Sequence, residues 1–445
     1  MRVSPAVPLL HGVTTRKTYA RTPCGPWGPH QQTNWLTSQS GKRRFGTRKG
    51  NSMDRRRFLL VSALAATAAC GGERPGRSTG SSAVPLTRTD SPGALPLHDD
   101  IPPIADGLSP ESGGVLKILN YPEYVSPDVL KAFGKKHGVE VEVTTFNTME
   151  DAISKLRTPG ASFDVWFPTP DVIGKAAVGK LLLPLNKTYL GNLANAWPQL
   201  QSPFYDEGSR YSVPYCAYTS GVGYRADEVT AGFGYGLLWD PAYKGKAYLI
   251  DDHREGLALA MLKNGSREIN TEDPVKIKQA GTWLSELVPL MNIKTGIAAY
   301  QLVAEGQATV HHCWSGDMIN AQSYLPKGVD ADVLGYWYPS DDLGVVGTDS
   351  LAVPASATKP VLAHMLLNHL LDPVVAQENF SFTGYQPALS AITPEKMVTD
   401  EFVTEGLKSA IVTPDVYARS QQIFQISPAA EAVWLDTWSQ FKAGQ

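Results

Sequence analysis

The stretch that decides the fold runs from Val115 to Leu182: VLKILNYPEYVSPDVLKAFGKKHGVEVEVTTFNTMEDAISKLRTPGASFDVWFPTPDVIGKAAVGKLL. VLKILNY alternates and is rich in β-formers, so it reads as a strand. Ser126-Pro127 opens an amphipathic helix, SPDVLKAFGKKHG, with serine as the cap and proline in the first turn. VEVEVTTF reads as a second strand and MEDAISKLR as a second helix. FDVWFPTP and DVIGKAAVGKLL follow as a third pair. Strand and helix alternating at this spacing predict an open parallel α/β sheet, in which ligands bind beyond the carboxyl ends of the strands. Three stretches stand at those ends: Tyr121-Pro122-Glu123-Tyr124, Phe146-Asn147-Thr148 and Pro168-Thr169-Pro170-Asp171.

Outward from this unit, YSVPYCAYTSGVGYR (Tyr211 to Arg225) is a long extended run suited to crossing between two lobes. A second α/β region follows. Its strands are expected at AYLID and ATVHHCW, and its helices at REGLALAML and VKIKQAGTWLSELVPLM. TDSLAVP (Thr348 to Pro354) reads as a further strand. PVLAHMLLNHLLDP, PVVAQENFS and the C-terminal AAEAVWLDTWSQFKAG read as helices. A processed chain of about 375 residues exceeds what one core usually holds, so two lobes are expected.

The N-terminal part reads as processing signal rather than fold. MDRRRFLLVSALAATAAC (Met53 to Cys70) has an arginine-rich start and a short apolar run. That run is too short to span a membrane well and marks an export signal. RRRFL fits the twin-arginine pattern. Thr67-Ala68-Ala69-Cys70 resembles a lipobox, which makes Cys70 the candidate lipid attachment. The expected divisions are a doubtful or disordered leader at 1–52, the signal at 53–69, and a lipidated cysteine with a flexible Gly/Ser/Pro/Thr-rich tether at 70–113. Residues 1–69 hold 12 Lys/Arg and one acid, so the remainder carries 28 basic and 42 acidic residues, a balance near −14. Such a balance argues against nucleic acid as a partner and suits a cationic ligand. Cys216 and Cys313 are the cysteines left in the folded part; an exported protein permits them to pair, but spacing does not show whether they meet.

Few motifs carry chemistry. LIDDHREGLALAML (Leu249 to Leu262) holds Asp252 and Glu255 as D-x-x-E, a capping box at a helix start. His311 and His312 are adjacent on an expected strand, so they point to opposite faces and are poorly placed to share a zinc ion. The chain has no P-loop or H-E-x-x-H motif, and no catalytic residue, metal or cofactor is assigned. What stands out is a set of aromatic and acidic residues at strand ends and helix starts: Tyr121, Tyr124, Asp171, Asp252, Glu255, Trp314 and Asp317. Aromatic faces attract ammonium groups and cover methylenes, and carboxylates give charge-assisted hydrogen bonds to each ammonium.

These segments, in this order, resemble the spermidine/putrescine-binding proteins, the solute receptors of bacterial ABC importers. LNYPEYVSPDVLKAFGKKHGVEVEV, FDVWFPTPD, YSVPYCAYTSGVGY, WDPAYKGKAYLIDDHRE, WSGD, DSLAVP and GYQP carry the likeness, which runs from about Val115 to the C-terminus. The resemblance implies ligand contacts at Tyr121, Tyr124, Thr169, Asp171, Asp252, Glu255, Trp314, Asp317, Asp349 and Tyr385. It also exposes a departure: Gly347 stands where the family's W-x-D-S segment has an aromatic, which implies a wider pocket or a wall supplied by another ring.

The fold class implied is α/β, a two-lobed periplasmic-binding-protein-like fold with a crossover-strand hinge. Lobe 1 is expected at 113–217 plus 348–393, and lobe 2 at 218–347 plus 394–445. The implied function is capture of a polyamine between the lobes and delivery to a membrane permease and its ATPase. The implied location is the periplasm or the outer face of the cytoplasmic membrane, with a lipid anchor at Cys70 and no catalysis. The alternatives are a receptor of the same fold for another small solute and a sensory receptor that does not transport.

Overall fold

A computed structural model describes residues 86–340 and 344–445; the export signal, Cys70 and the first part of the expected tether lie outside the described residues. The first unit follows its sequence. β1 (Val115–Asn120) leads to α1 (Pro127–His137), where Ser126 accepts from the Val129 N–H and Gly138 closes the helix at φ 68°. β2 (Glu140–Thr145) leads to α2 (Met149–Leu156), capped by Thr148. β3 (Val165–Trp166) leads to α3 (Pro170–Val178), with proline in its first turn. β2 and β3 flank β1, both parallel to it.

The next strand, β4 (Ser212–Arg225), is 14 residues long. β5 (Ala247–Leu249) and α4 (His253–Lys263) follow, then α5 (Pro274–Ser285), α6 (Leu287–Met291), β6 (Lys294–Thr295) and α7 (Ala299–Ala304). β7 (Val310–Trp314) runs into α8 (Ser315–Asn320), and β8 (Leu334–Trp337) precedes β9 (Val345–Ala352). The chain ends in α9 (Pro360–Leu370), α10 (Pro373–Thr383), α11 (Pro394–Thr399), α12 (Pro414–Arg419) and α13 (Pro428–Ala443). The described strands form one continuous sheet in the order β2-β1-β3-β9-β4-β7-β5-β6, with β8 also on β4.

β4 explains the continuity. Its first part pairs antiparallel with β9, from Ser212 opposite Ala352 to Ser220 opposite Val345. Its second part pairs antiparallel with β7, from Ser220 opposite Trp314 to Tyr224 opposite Val310. A strand of 14 residues extends about 46 Å, enough to serve two α/β units. The parallel trio β1–β3 is thus joined to the parallel trio β5–β7 through antiparallel β9 and β4.

Each flank has its own apolar packing. Leu119, Phe146, Trp166, Ile173 and Tyr211 cluster around β1 and β3. Leu249, Leu257, Ile277, Trp434 and Trp438 cluster around β5. There α13 lies close on α4 and α5: a Cβ at Gly256 would stand 2.4 Å from the Trp438 ring, and one at Gly281 would stand 2.3 Å from Thr437.

The expectation of a flexible tether up to residue 113 is corrected for residues 86–113. Leu95 is wholly buried with Phe146, Tyr205 and Tyr211. Tyr211 donates to the Pro96 carbonyl at 2.6 Å and Arg210 to the Leu95 carbonyl at 2.9 Å. Asn186 holds the Ile104 carbonyl, and Glu111 accepts from the Val361 and Leu362 N–H groups at the start of α9. A proline- and glycine-rich composition suits a strap as well as a tether; here buried Leu95 and these hydrogen bonds tie the strap down. Cys216 and Cys313 are both buried free thiols. The adjacent His311 and His312 are both buried, and burial pushes each down to about 3, so both are neutral.

Candidate functional site

The Leu249–Leu262 stretch divides its two acids between different tasks. Asp252 is the N-cap of α4: its Oδ1 accepts from the Arg254 N–H at 2.8 Å and the Glu255 N–H at 3.0 Å. Glu255 gives no reciprocal bond; its side chain turns to the middle of the sheet. Ser220 of β4 donates to Glu255 Oε1 at 2.9 Å, and Trp314 Nε1 donates to the same oxygen at 3.1 Å. Oε2 is buried without a partner. Burial, and then the charge of Asp252, push the Glu255 carboxyl up to about 7 against these two hydrogen bonds.

Two more carboxyls repeat the pattern. Asp317, in the first turn of α8, accepts from the Tyr385 hydroxyl at 2.8 Å through Oδ1, while Oδ2 is buried and unpartnered. Burial pushes it up to about 7. Asp349, on β9, accepts from the Tyr124 hydroxyl at 2.6 Å through Oδ2, while Oδ1 is buried and unpartnered. Burial, with a lesser contribution from Asp171, likewise pushes it up to about 7. All three side chains are 6% exposed or less, and among the described residues no lysine or arginine forms an ion pair with any of them. Buried acids are ordinarily paired or protonated. These are left with neutral donors on one oxygen and an open acceptor on the other.

Aromatic rings connect them. Tyr121 packs edge-on against Tyr124 with centroids 5.5 Å apart, and Tyr124 against Tyr385 at 4.8 Å. Tyr215 fixes this corner by donating to the Tyr124 carbonyl. Trp314, half-buried at the end of β7, faces Tyr218 at 6.1 Å, and Tyr218 faces Tyr385 at 6.2 Å. Tyr121, Tyr124, Glu255, Trp314, Asp317, Asp349 and Tyr385 thereby form one connected set, built from segments up to 264 residues apart in the chain.

The other three expected residues flank it. Asp171 stands in the first turn of α3 and acts on Tyr121 and Asp349 through its charge. Thr169 occupies the cap position of α3 without capping, and its hydroxyl is buried and unpartnered. Asp252 acts on Glu255 and Tyr121 through its charge while capping α4. Sequence reasoning missed Tyr218, Ser220 and Cys216, which alternate on β4; Cys216 Sγ lies 3.0 Å from the Tyr124 hydroxyl. The available signal was the crossover strand itself, since a strand shared by two α/β units passes under any cleft between them.

Chemically, the site offers three buried carboxyls with open oxygens, walled by rings. That suits an elongated ligand with several ammonium groups separated by methylenes. The model of the family described as "Bacterial extracellular solute-binding protein" matches residues 128–403. The spermidine/putrescine-binding periplasmic protein of Escherichia coli is 28% identical over 340 residues, covering 75% of this chain and 93% of that protein. The putrescine/cadaverine-binding protein of Pseudomonas aeruginosa is 25% identical over 338 residues, covering 74% and 93%. The solved spermidine/putrescine ABC transporter substrate-binding protein of Streptococcus pneumoniae has the same fold, with a TM-score of 0.61 at 22% identity over 74% of this chain and 99% of that one. The two-lobed α/β class expected from the sequence is therefore correct, as is the likeness to spermidine/putrescine-binding proteins, and the chain belongs to the bacterial extracellular solute-binding protein family.

Proposed function

We propose that this protein captures a polyamine of the spermidine or putrescine type and hands it to a membrane permease driven by an ATPase. The observation that carries the reading is the trio Glu255, Asp317 and Asp349, each buried with one oxygen held by a neutral donor and the other open. A solute without hydrogen-bond donors at these three points would leave the buried acceptors unsatisfied, at about 1–3 kcal/mol each. An ammonium group at each would satisfy them with charge-assisted bonds. Tyr121, Tyr124, Trp314 and Tyr385 then flank the methylenes, with Thr169, Asp171 and Asp252 at the margin.

The lobes in this reading are residues 113–217 plus 348–393 and residues 218–347 plus 394–445. Tyr385 and Asp317 meet across that division. So do Gly384 and Gly316, where a Cβ on Gly384 would stand 2.4 Å from the Gly316 carbonyl oxygen. Opening the lobes breaks these contacts and admits the ligand; closing remakes them around it. No step changes the ligand covalently. Export by the signal at 53–69 and a lipid at Cys70 would hold the receptor beside its permease on the outer face of the cytoplasmic membrane. Calorimetric titration of the ligand-free protein with spermidine, putrescine and a neutral sugar tests the reading. One-to-one binding of a polyamine and none of the sugar is expected; no binding of either polyamine by folded protein would overturn it.

A further inference from the structure

Cys216, Tyr218 and Ser220 alternate on one face of β4. The first lies against Tyr124, which holds Asp349, and the last holds Glu255. Tyr218 stands between these two ends. Its ring is half-buried and faces both Trp314 and Tyr385. Among the described residues its hydroxyl has no hydrogen-bond partner. Burial, followed by the charges of Asp349 and Glu255, pushes that phenol far above its ordinary range, so it remains a proton donor.

The ring lies there because of Gly347. Gly347 is directly opposite Tyr218 on β9, and a Cβ on it would stand 2.5 Å from the Tyr218 ring. Its backbone is not left-handed, so close approach, and not conformational freedom, is what requires glycine. Any side chain at 347 would push the ring out of its place. The aromatic absent from β9 is thus replaced across the ladder by one on β4.

We propose that Tyr218 is a ligand-contact residue that selects a triamine over a diamine, lying under the middle of the bound chain with Gly347 making room for it. The proposal rests on the polyamine reading above. Cys216 and Ser220 are four residues apart, on the order of 13 Å along the strand. A staggered chain of C–C and C–N bonds advances about 1.25 Å per bond. Two nitrogens separated by four methylenes are therefore about 6 Å apart, and the outer nitrogens of a triamine nine bonds long about 11 Å apart. The triamine reaches from the Asp349 end to the Glu255 end and must cross Tyr218. The diamine occupies one end and need not.

The test is titration of the full chain and of Tyr218→Ala, Tyr218→Phe and Gly347→Ala with spermidine and putrescine, each variant first shown to be folded by circular dichroism. Tyr218→Ala should weaken spermidine about tenfold and putrescine less than about threefold. Gly347→Ala, which displaces the ring without removing it, should repeat the triamine-selective loss. Tyr218→Phe should keep most of the affinity and the preference. Equal loss for both polyamines, or no loss in either Tyr218→Ala or Gly347→Ala, overturns the proposal while leaving polyamine capture intact. Failure of the unaltered protein to bind either polyamine overturns the underlying reading, and this proposal with it.

Discussion

Asp317→Asn should stabilise the ligand-free protein while damaging ligand capture, and the stabilisation should grow with pH. Burial raises the Asp317 carboxyl from an ordinary 3.8 to about 7. Because the folded value lies above the unfolded one, its contribution to stability is full below about pH 4. Between the two values the fold keeps a proton that the unfolded chain gives up. Stability then falls by about 1.4 kcal/mol per pH unit, and the loss is complete above about pH 7. Asparagine carries no charge to bury, and its carbonyl oxygen still accepts from Tyr385. The variant's advantage over the unaltered protein should therefore widen by up to about 3 kcal/mol between pH 5 and pH 8. Opening of the cleft rehydrates the acid, so this figure is an upper bound. Urea unfolding of both proteins without ligand, at the two pH values, gives the comparison. An advantage that does not change with pH, or a variant less stable at pH 8, would refute the claim that Asp317 is a desolvated charge awaiting a cation.

Polyamine affinity should fall by at least about tenfold between pH 7.5 and pH 5.5, because Glu255, Asp317 and Asp349 take up protons as the pH drops through about 7; titration calorimetry at the two pH values measures this. Tyr124→Phe removes the hydroxyl that holds Asp349, so spermidine should bind about tenfold more weakly with the circular dichroism spectrum unchanged. Leu95→Ala should cost roughly 2–5 kcal/mol in urea unfolding, since this leucine of the strap is wholly buried against the fold, whereas an undocked tether would show no change. Cys216 and Cys313 should resist thiol reagents until the protein is unfolded, as mass spectrometry of labelled peptides would record.

The parts of the fold that local chemistry specifies were legible. Ser126-Pro127, Thr148 and Pro170 mark helix starts that the structure places within a residue or so of where they were read. The crossover strand was legible because Tyr211 to Arg225 is extended and almost free of turn residues. Less legible were features whose partners lie far away in the chain. D-x-x-E looks like a capping box, yet Glu255 leaves the cap because Ser220 and Trp314, 35 and 59 residues distant, offer better donors. α4 is buried on every side, so it shows no amphipathic period. The Tyr218–Gly347 exchange depends on the β4–β9 register, which no local pattern specifies. The strap before residue 113 read as a tether because one buried leucine among prolines leaves little mark on composition.

The most direct test of the central claim is a crystal structure of the protein with spermidine bound. The account predicts ligand nitrogens at about 3 Å from Glu255 Oε2, Asp317 Oδ2 and Asp349 Oδ1, the three buried oxygens now without partners. Spermidine bound elsewhere, or lying in the cleft with these three oxygens still unpaired, would contradict it.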